Sequence, residues 1–151
     1  MKIYVASDHR GVDIEAKIIK YLKKNNKEAF GPVKKHNETD DYPDFAFEVA
    51  KNVLKDKDNL GVLICGTGIG MSIAANKVPG IRAARCLNID DAFFSRNHNS
   101  ANIICISSNS SFDEICKIVD TFINTKPAYE YKHLRRINKI NNIEQGMHNE
   151  L

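Results

Sequence analysis

A doubly wound α/β fold is predicted by two features of this 151-residue sequence. Apolar runs of strand length alternate with longer segments at helical spacing. The runs VLIC and IICIS are apolar throughout, as expected of central parallel strands covered by helices on both faces.

Lys2–Ser7 reads as a buried strand, and Val12–Lys24 reads as a helix with Ile14, Ile18 and Leu22 on one face. A second strand is confined to Glu28–Phe30, because the breaker pair Gly31-Pro32 and the polar stretch KKHNETD follow at once; this places it at an edge. Asp41-Tyr42-Pro43-Asp44 supplies start signals for a helix over Phe45–Lys55. Gly61–Cys65 is a strand, Gly70–Lys77 a helix, Ile81–Cys86 a strand, Asp90–Arg96 a helix, Asn102–Ser107 a strand and Phe112–Asn124 a helix. After Pro127, Tyr129–Ile143 has helical spacing and a basic face, so a five-stranded parallel sheet with a C-terminal helix is expected in one domain spanning residues 1–151.

The composition narrows the function. With 42% hydrophobic residues, 27% charged residues and a formal net charge of +3, the chain has material for a core. It has no concentrated basic footprint for nucleic acid or a membrane surface. Cys65, Cys86, Cys105 and Cys116 form no CxxC pair and have no histidines at zinc-site spacing, so neither a metal nor another cofactor is expected. The opening MKIYVASDHRG has no apolar signal core, and no apolar stretch reaches membrane-spanning length; a cytoplasmic protein with reduced thiols is expected.

Ligands of open parallel sheets bind beyond the carboxyl ends of the strands, which directs attention to three segments. Ser7-Asp8-His9-Arg10-Gly11 follows the first strand and joins a carboxylate to an imidazole. Cys65-Gly66-Thr67-Gly68-Ile69-Gly70 follows the middle strand, and its alternating glycines leave backbone N–H groups for an anion. A thiolate there can act as a base beside donors for the charge that develops on oxygen. The same residues are also compatible with a tight turn around a buried thiol, with Thr67 and Ser72 capping the helix. Arg96-Asn97-His98-Asn99 is the third segment, before the last strand. Near the C-terminus Lys132 and Arg136 lie one turn apart beside His133 and Arg135, either as a phosphate clamp or as a solvated basic face.

Taken in order, ASDHRG, DYPDFA, GVLICGTGIGMSIAANKVPGIRAARC and RNHNSAN resemble the ribose-5-phosphate isomerase type B family, a group that also includes galactose-6-phosphate isomerase subunits. The resemblance runs from residue 2 to about residue 137. It implies a Rossmann-like αβα sandwich, a homodimer or homotetramer with active sites between subunits, and the C-terminal segment, about 127–151, at that interface. It implies interconversion of ribose 5-phosphate and ribulose 5-phosphate with Cys65 as the base and Thr67 steadying the enediol. Gly66, Gly68 and Gly70 would lend backbone donors, and His98 with Asp8 would open the sugar ring. Asn99 would bind substrate, Tyr42 would line the site, and His9, Lys132 and Arg136 would hold the phosphate.

Three features depart from the family pattern: Lys132 stands where a second arginine is usual, Ser107-Ser108-Asn109 lacks an arginine present in many relatives, and the second-strand region is shorter than usual. A six-carbon sugar phosphate is the nearest alternative substrate. A dinucleotide site fits poorly, because Met71 takes the place of the third glycine of GxGxxG and no acidic residue ends the next strand. A regulatory protein with Cys65 as a sensor thiol would have no use for the sugar-handling groups.

Overall fold

Every apolar run of strand length enters one parallel sheet in the computed structural model, which describes residues 1–147. Along the chain the elements are β1 (Lys2–Ser7), α1 (Val12–Lys24), β2 (Glu28–Phe30), α2 (Tyr42–Val53), β3 (Leu60–Cys65) and α3 (Ile69–Ala75). They continue with β4 (Ala83–Arg85), α4 (Ile89–Asn97), β5 (Ile103–Ser107), α5 (Phe112–Asn124) and α6 (Tyr131–Glu144). The strand order is β2-β1-β3-β5-β4, a Rossmann-like αβα sandwich with the short β2 at one edge.

Alternation along the strands divides the core in two. Val62 and Ile64 of β3 face α1, α4 and α5, where Ile18, Leu22, Ala92, Ile118 and Phe122 pack against the sheet. Leu63 and Cys65 face α2 and α3, among Phe45, Val49, Val53, Met71 and Ala75. All six residues of β3 are buried, which explains its uninterrupted apolar run.

Local signals set the helix limits. Ser111 and Glu114 form a reciprocal capping box at the start of α5, and Asn88 accepts the Asp91 N–H at 2.8 Å to begin α4. Helix α2 starts at Tyr42 rather than Phe45 and ends at Val53, because Pro43 is already suited to a first helical turn. Strand β4 is shorter than the expected Ile81–Cys86. The Arg82 and Ala83 N–H groups are taken at 2.8 Å by the side-chain oxygens of Asn102 and Asn76, so the ladder begins late. Helix α6 begins at Tyr131, two residues later than expected, since Glu130 is still extended.

The segment leading to α6 is tied to the end of α4. Ala128 N–H donates to Asn97 O at 2.8 Å, and Asn97 Nδ2 donates to Lys126 O at 3.0 Å. At the far end of α6, Glu144 accepts the Gly80 N–H at 3.0 Å. The last four residues of the expected interfacial segment lie outside the described residues. Among those described, no helix is long and apolar enough to cross a membrane.

Gly61 sets how closely α2 approaches the sheet: a Cβ there would stand 2.8 Å from both Ile103 Cγ1 and Val49 Cγ1. Gly61→Ala should therefore cost about 1–3 kcal/mol through overpacking. A lowered urea midpoint with unchanged slope checks this, and an unshifted midpoint would contradict the packing.

Candidate active site

Adjacent strands β1 and β3 send their following helices in opposite directions across the sheet, which opens a crevice beyond their carboxyl ends. Asp8–Gly11 and Cys65–Gly70 both emerge there. The Asp8 N–H donates to Ile64 O at 3.2 Å, and the Ser108 N–H donates to Cys65 O at 2.9 Å, so the ends of β1, β3 and β5 are joined around the thiol. The half-buried Asp8 uses one carboxylate oxygen to accept the Arg10 N–H at 3.1 Å.

The glycine loop is held peptide by peptide. Cys65 is 6% exposed, and its Sγ accepts the Gly68 N–H at 3.2 Å. Gly68 has φ +75°, and a Cβ there would lie 3.2 Å from Cys105 O, so glycine is required by both conformation and space. The Gly66 carbonyl accepts from Ser107 Oγ at 2.7 Å and Asn109 Nδ2 at 3.0 Å, while Arg85 Nε donates to Thr67 O at 2.7 Å. With these carbonyls tied back, the N–H groups of Gly66, Thr67, Gly70 and Met71 have no acceptor among the described residues. Thr67 Oγ1 accepts from the Ile69 N–H at 3.2 Å, a local turn contact rather than the cap of α3; Gly68 holds that cap position. Ser72 does not cap the helix either, since its hydroxyl lies toward Ala83 O.

Tyr42 borders the loop, with its Cζ 2.8 Å from where a Cβ on Gly70 would stand. The remaining cysteines are poor thiolates. Burial pushes Cys86 up to about 11 against a partly opposing hydrogen bond with Ser95, and burial also raises Cys105 and Cys116.

His9 is anchored at the rim. Its backbone N–H and its Nδ1 both meet Asp40 Oδ1, at 3.0 and 3.1 Å. Burial works to raise the Asp40 carboxyl. Hydrogen bonds from His36, from the Asn37 N–H and from His9 outweigh it and hold the group below its ordinary value.

Four expected site residues lie elsewhere. Helix α4 runs away from the carboxyl ends, so His98 and Asn99, which follow it, sit at the amino ends of the strands; Asn99 O accepts from Arg82 Nε, just before β4. Lys132 and Arg136 are on α6, which crosses the same pole. The six residues of β3 separate this group from Cys65 by about 17 Å at some 3.3 Å per residue. The expectation that Arg96–Asn99 joins the other two segments at the carboxyl ends is thus corrected within one chain.

The second group has its own organisation. His98 stacks on His133 with ring centroids 4.2 Å apart, and Phe94 lies 4.9 Å from His98. His133 is 5% exposed; burial and the neighbouring His98 lower its pKa. Glu130 comes within 3.1 Å of His133 Nε2 without aligned hydrogen-bond geometry, and it also lies 3.6 Å from Lys132 Nζ in an exposed pair worth little. Arg135 and Arg136 are exposed.

Several contributors escaped the sequence reading: Glu15, His36, Asp40, Arg85, Ser107 and Asn109. In the sequence Ser107-Ser108-Asn109 is distinguished only by a missing arginine, and nothing in its residue types indicates a carbonyl clamp. Asp40 sits two residues before Tyr42, but its partners come from distant parts of the chain.

A Rossmann-like enzyme with a thiol at the head of a donor-rich loop is the class that the fold and the carboxyl-end site define. The family model described as Ribose/Galactose Isomerase matches residues 3–140, and the chain belongs to that family. It is 46% identical over 143 residues to a probable ribose-5-phosphate isomerase B of Mycoplasma genitalium, covering 91% of this chain and 92% of that protein. The Mycobacterium tuberculosis ribose-5-phosphate isomerase B is 35% identical over 139 residues, covering 91% and 86% respectively. Among solved structures, Clostridium thermocellum ribose-5-phosphate isomerase B superposes with TM-score 0.90 at 43% identity, over 97% of this chain and 99% of that one. The Mycoplasma genitalium enzyme with bound ribulose-5-phosphate gives 0.89 at 41% identity, over 95% and 96%.

Two outcomes are expected from this geometry. Removing either clamp on the Gly66 carbonyl, by Ser107→Ala or Asn109→Ala, loosens the loop by about 1 kcal/mol and should lower kcat about fivefold with little change in KM. Equal kcat values would show that the clamps do not hold a loop that takes part in the reaction. Because the folded-state pKa of Asp40 is depressed, its contribution is present above the ordinary carboxylate range and disappears as pH falls through the folded value. Asp40→Asn should therefore flatten the loss of stability as pH falls below the ordinary carboxylate value of about 4 in acid titrations followed by circular dichroism.

Proposed function

We propose that the chain interconverts D-ribose 5-phosphate and D-ribulose 5-phosphate in the non-oxidative pentose phosphate pathway of the cytoplasm, as a homodimer or dimer of dimers. The observation that carries the reading is the thiol of Cys65 held by the Gly68 N–H beside unpaired loop amides, in a chain similar to an enzyme solved with ribulose-5-phosphate.

The chemistry needs ring opening, one proton removed, one returned, and a home for oxyanion charge. His98, assisted by Asp8, moves the hydroxyl proton that opens the furanose. Cys65 as thiolate takes the proton from C2 of the open aldose, and the electron pair moves through the new C1–C2 double bond onto O1. The loop amides of Gly66 and Gly70 and the Thr67 hydroxyl and N–H hold the enediolate, while Gly68 steadies the thiolate. One such donor is worth about 2.7–4 kcal/mol where it acts on the transition state. Cys65 then gives its proton to C1 while the O2 hydroxyl proton passes to O1, leaving a ketone at C2. His9, Lys132 and Arg136 hold the phosphate, Asn99 binds a sugar hydroxyl, and Tyr42 walls the site. Lys132 contributes charge without the planar fork of an arginine.

Because His98, Asn99, Lys132 and Arg136 stand at the opposite pole from Cys65, a second copy is the source of these groups in each site. Exposed apolar side chains support such an interface: Ile69 and Ile73 on α3, Phe93 and Phe94 on α4, and Leu134 and Ile143 on α6.

The test is isomerisation of ribose 5-phosphate, with allose 6-phosphate in parallel and a chelator present. The pentose phosphate should react, and Cys65→Ala should lose about 10²–10⁴-fold in kcat. Reaction of the hexose phosphate alone would leave the mechanism and overturn the substrate. Cys65→Ala and His98→Ala, each inactive alone, should regain about a quarter of wild-type activity when their subunits are mixed and re-formed as two-fold dimers. No recovery from re-formed mixed dimers would mean that the site is not shared between subunits.

A further inference from the structure

The proposed proton transfers make no use of a buried polar relay behind His9. It begins at Glu15 on α1, whose Oε2 accepts the Ser7 N–H at 2.7 Å and the Ser7 hydroxyl at 2.9 Å. The same oxygen lies 3.1 Å from His36 Nε2. His36 Nδ1 lies 3.0 Å from Asp40 Oδ2, which also accepts the Asn37 N–H at 3.3 Å, and Asp40 Oδ1 meets both donors of His9. The relay thus joins the end of β1, the first turn of α1 and the loop before α2.

Such an arrangement is expensive unless its members pair. The Asp40 side chain is 0% exposed and Glu15 is buried, so two carboxylates have left water together. Both ring nitrogens of His36 face carboxylate oxygens, a pattern satisfied fully by a doubly protonated ring or by one protonated carboxyl. The ring also stacks on Phe45, with centroids 4.6 Å apart and planes 24° from parallel, so it is held on its face as well as at its edges. At the outer end the His9 side chain is 40% exposed, and its Nε2 has no hydrogen-bond partner among the described residues.

We propose that Asp40 and His36 are positioning residues that fix the His9 ring for a phosphate group, with Glu15 and Ser7 anchoring the inner end of the relay. An ionised Asp40 is an acceptor only, so the His9 proton facing it is on Nδ1 and Nε2 is the nitrogen left for the ligand. A phosphate oxygen can pair with Nε2 only when that nitrogen carries a proton as well, so the ring that binds the anion donates from both nitrogens. Holding the ring beforehand removes rotamer entropy that phosphate binding would otherwise have to overcome. Asp40 itself is kept away from the anion, because His9 lies between its carboxylate and the rim. This inference rests on the reading of His9 as a phosphate ligand.

The experiment is a double-mutant cycle on the full chain with His9→Ala, Asp40→Asn and the pair, reading KM and kcat for ribose 5-phosphate and, by NMR titration, the Kd of inorganic phosphate. Asp40→Asn should raise KM and the phosphate Kd together by about fivefold, the worth of one hydrogen bond, with kcat within about twofold. In the His9→Ala background it should add nothing, because its effect passes through that ring. The same penalty in both backgrounds, or no penalty in a folded Asp40→Asn protein, would overturn the positioning role while leaving His9 a ligand. An unchanged phosphate Kd in His9→Ala would overturn the ligand reading and the relay's purpose together. Phosphate binding that follows the cycle without any isomerisation would support the relay and remove only the substrate assignment. If Asp40→Asn does not fold, His36→Gln takes its place in the same cycle and is held to the same outcomes.

Discussion

Burial of β3 on both faces is the constraint on which the rest depends. Val62 and Ile64 seal one layer and Leu63 and Cys65 the other, so the strand can shift by one residue only by exchanging its whole core complement. That fixed register puts Cys65 opposite Ser107 on β5 and Ile64 opposite Ser7 on β1. The side chains that tie back the loop carbonyls, and those that begin the His9 relay, therefore start from strand ends already aligned with the thiol. Gly61 lets α2 close on the same strand, which brings Tyr42 to the other end of the helix beside Gly70.

The two groups of proposed site residues are segregated by the path of the backbone. In a parallel βα unit each helix returns the chain to the amino end of the sheet, so a residue that follows a helix lies a strand's length from one that follows a strand. Cys65, Asp8 and His9 follow strands. His98 and Asn99 follow α4, and α6 carries Lys132 and Arg136 across the same amino-end pole. In the proposed oligomer, contact through the exposed apolar faces of α3, α4 and α6 completes the site as well as adding stability. The stacking of His98 on the buried His133 shows that the second pole is locally organised within the single chain.

Electrostatics differ in kind among the Cys65 loop, the His9 corner and α6. The Cys65 loop relies on neutral backbone donors, whose direction is set by carbonyl contacts from Ser107, Asn109 and Arg85. Around His9, the donors are aimed by ionisable groups held out of water, which pair with one another and with backbone N–H groups. On α6 the basic side chains remain solvated, where charge is cheap to maintain and geometry is loose.

Much of this was legible in one dimension. Strands β1 and β2 and helices α1 and α5 have the limits that their apolar spacing and breakers imply, and the parallel sheet follows from runs such as VLIC. Cys65, its glycine loop and the Asp8-His9 pair stood out because nucleophile, donors and carboxylate are adjacent along the chain. The clamp on Gly66 and the Glu15–His36–Asp40 relay did not, because their partners are up to 43 residues apart and are ordinary polar residue types. Nor did the sequence disclose that His98 lies far from Cys65 in one chain: motifs record order, whereas separation depends on which end of the sheet each connection reaches. From the sequence alone follow the strand and helix segments, the family and the glycine loop behind the thiol, since local spacing and residue chemistry suffice for those. Tertiary structure alone decided which groups meet, because long-range hydrogen bonds and strand direction exist only once the sheet has formed.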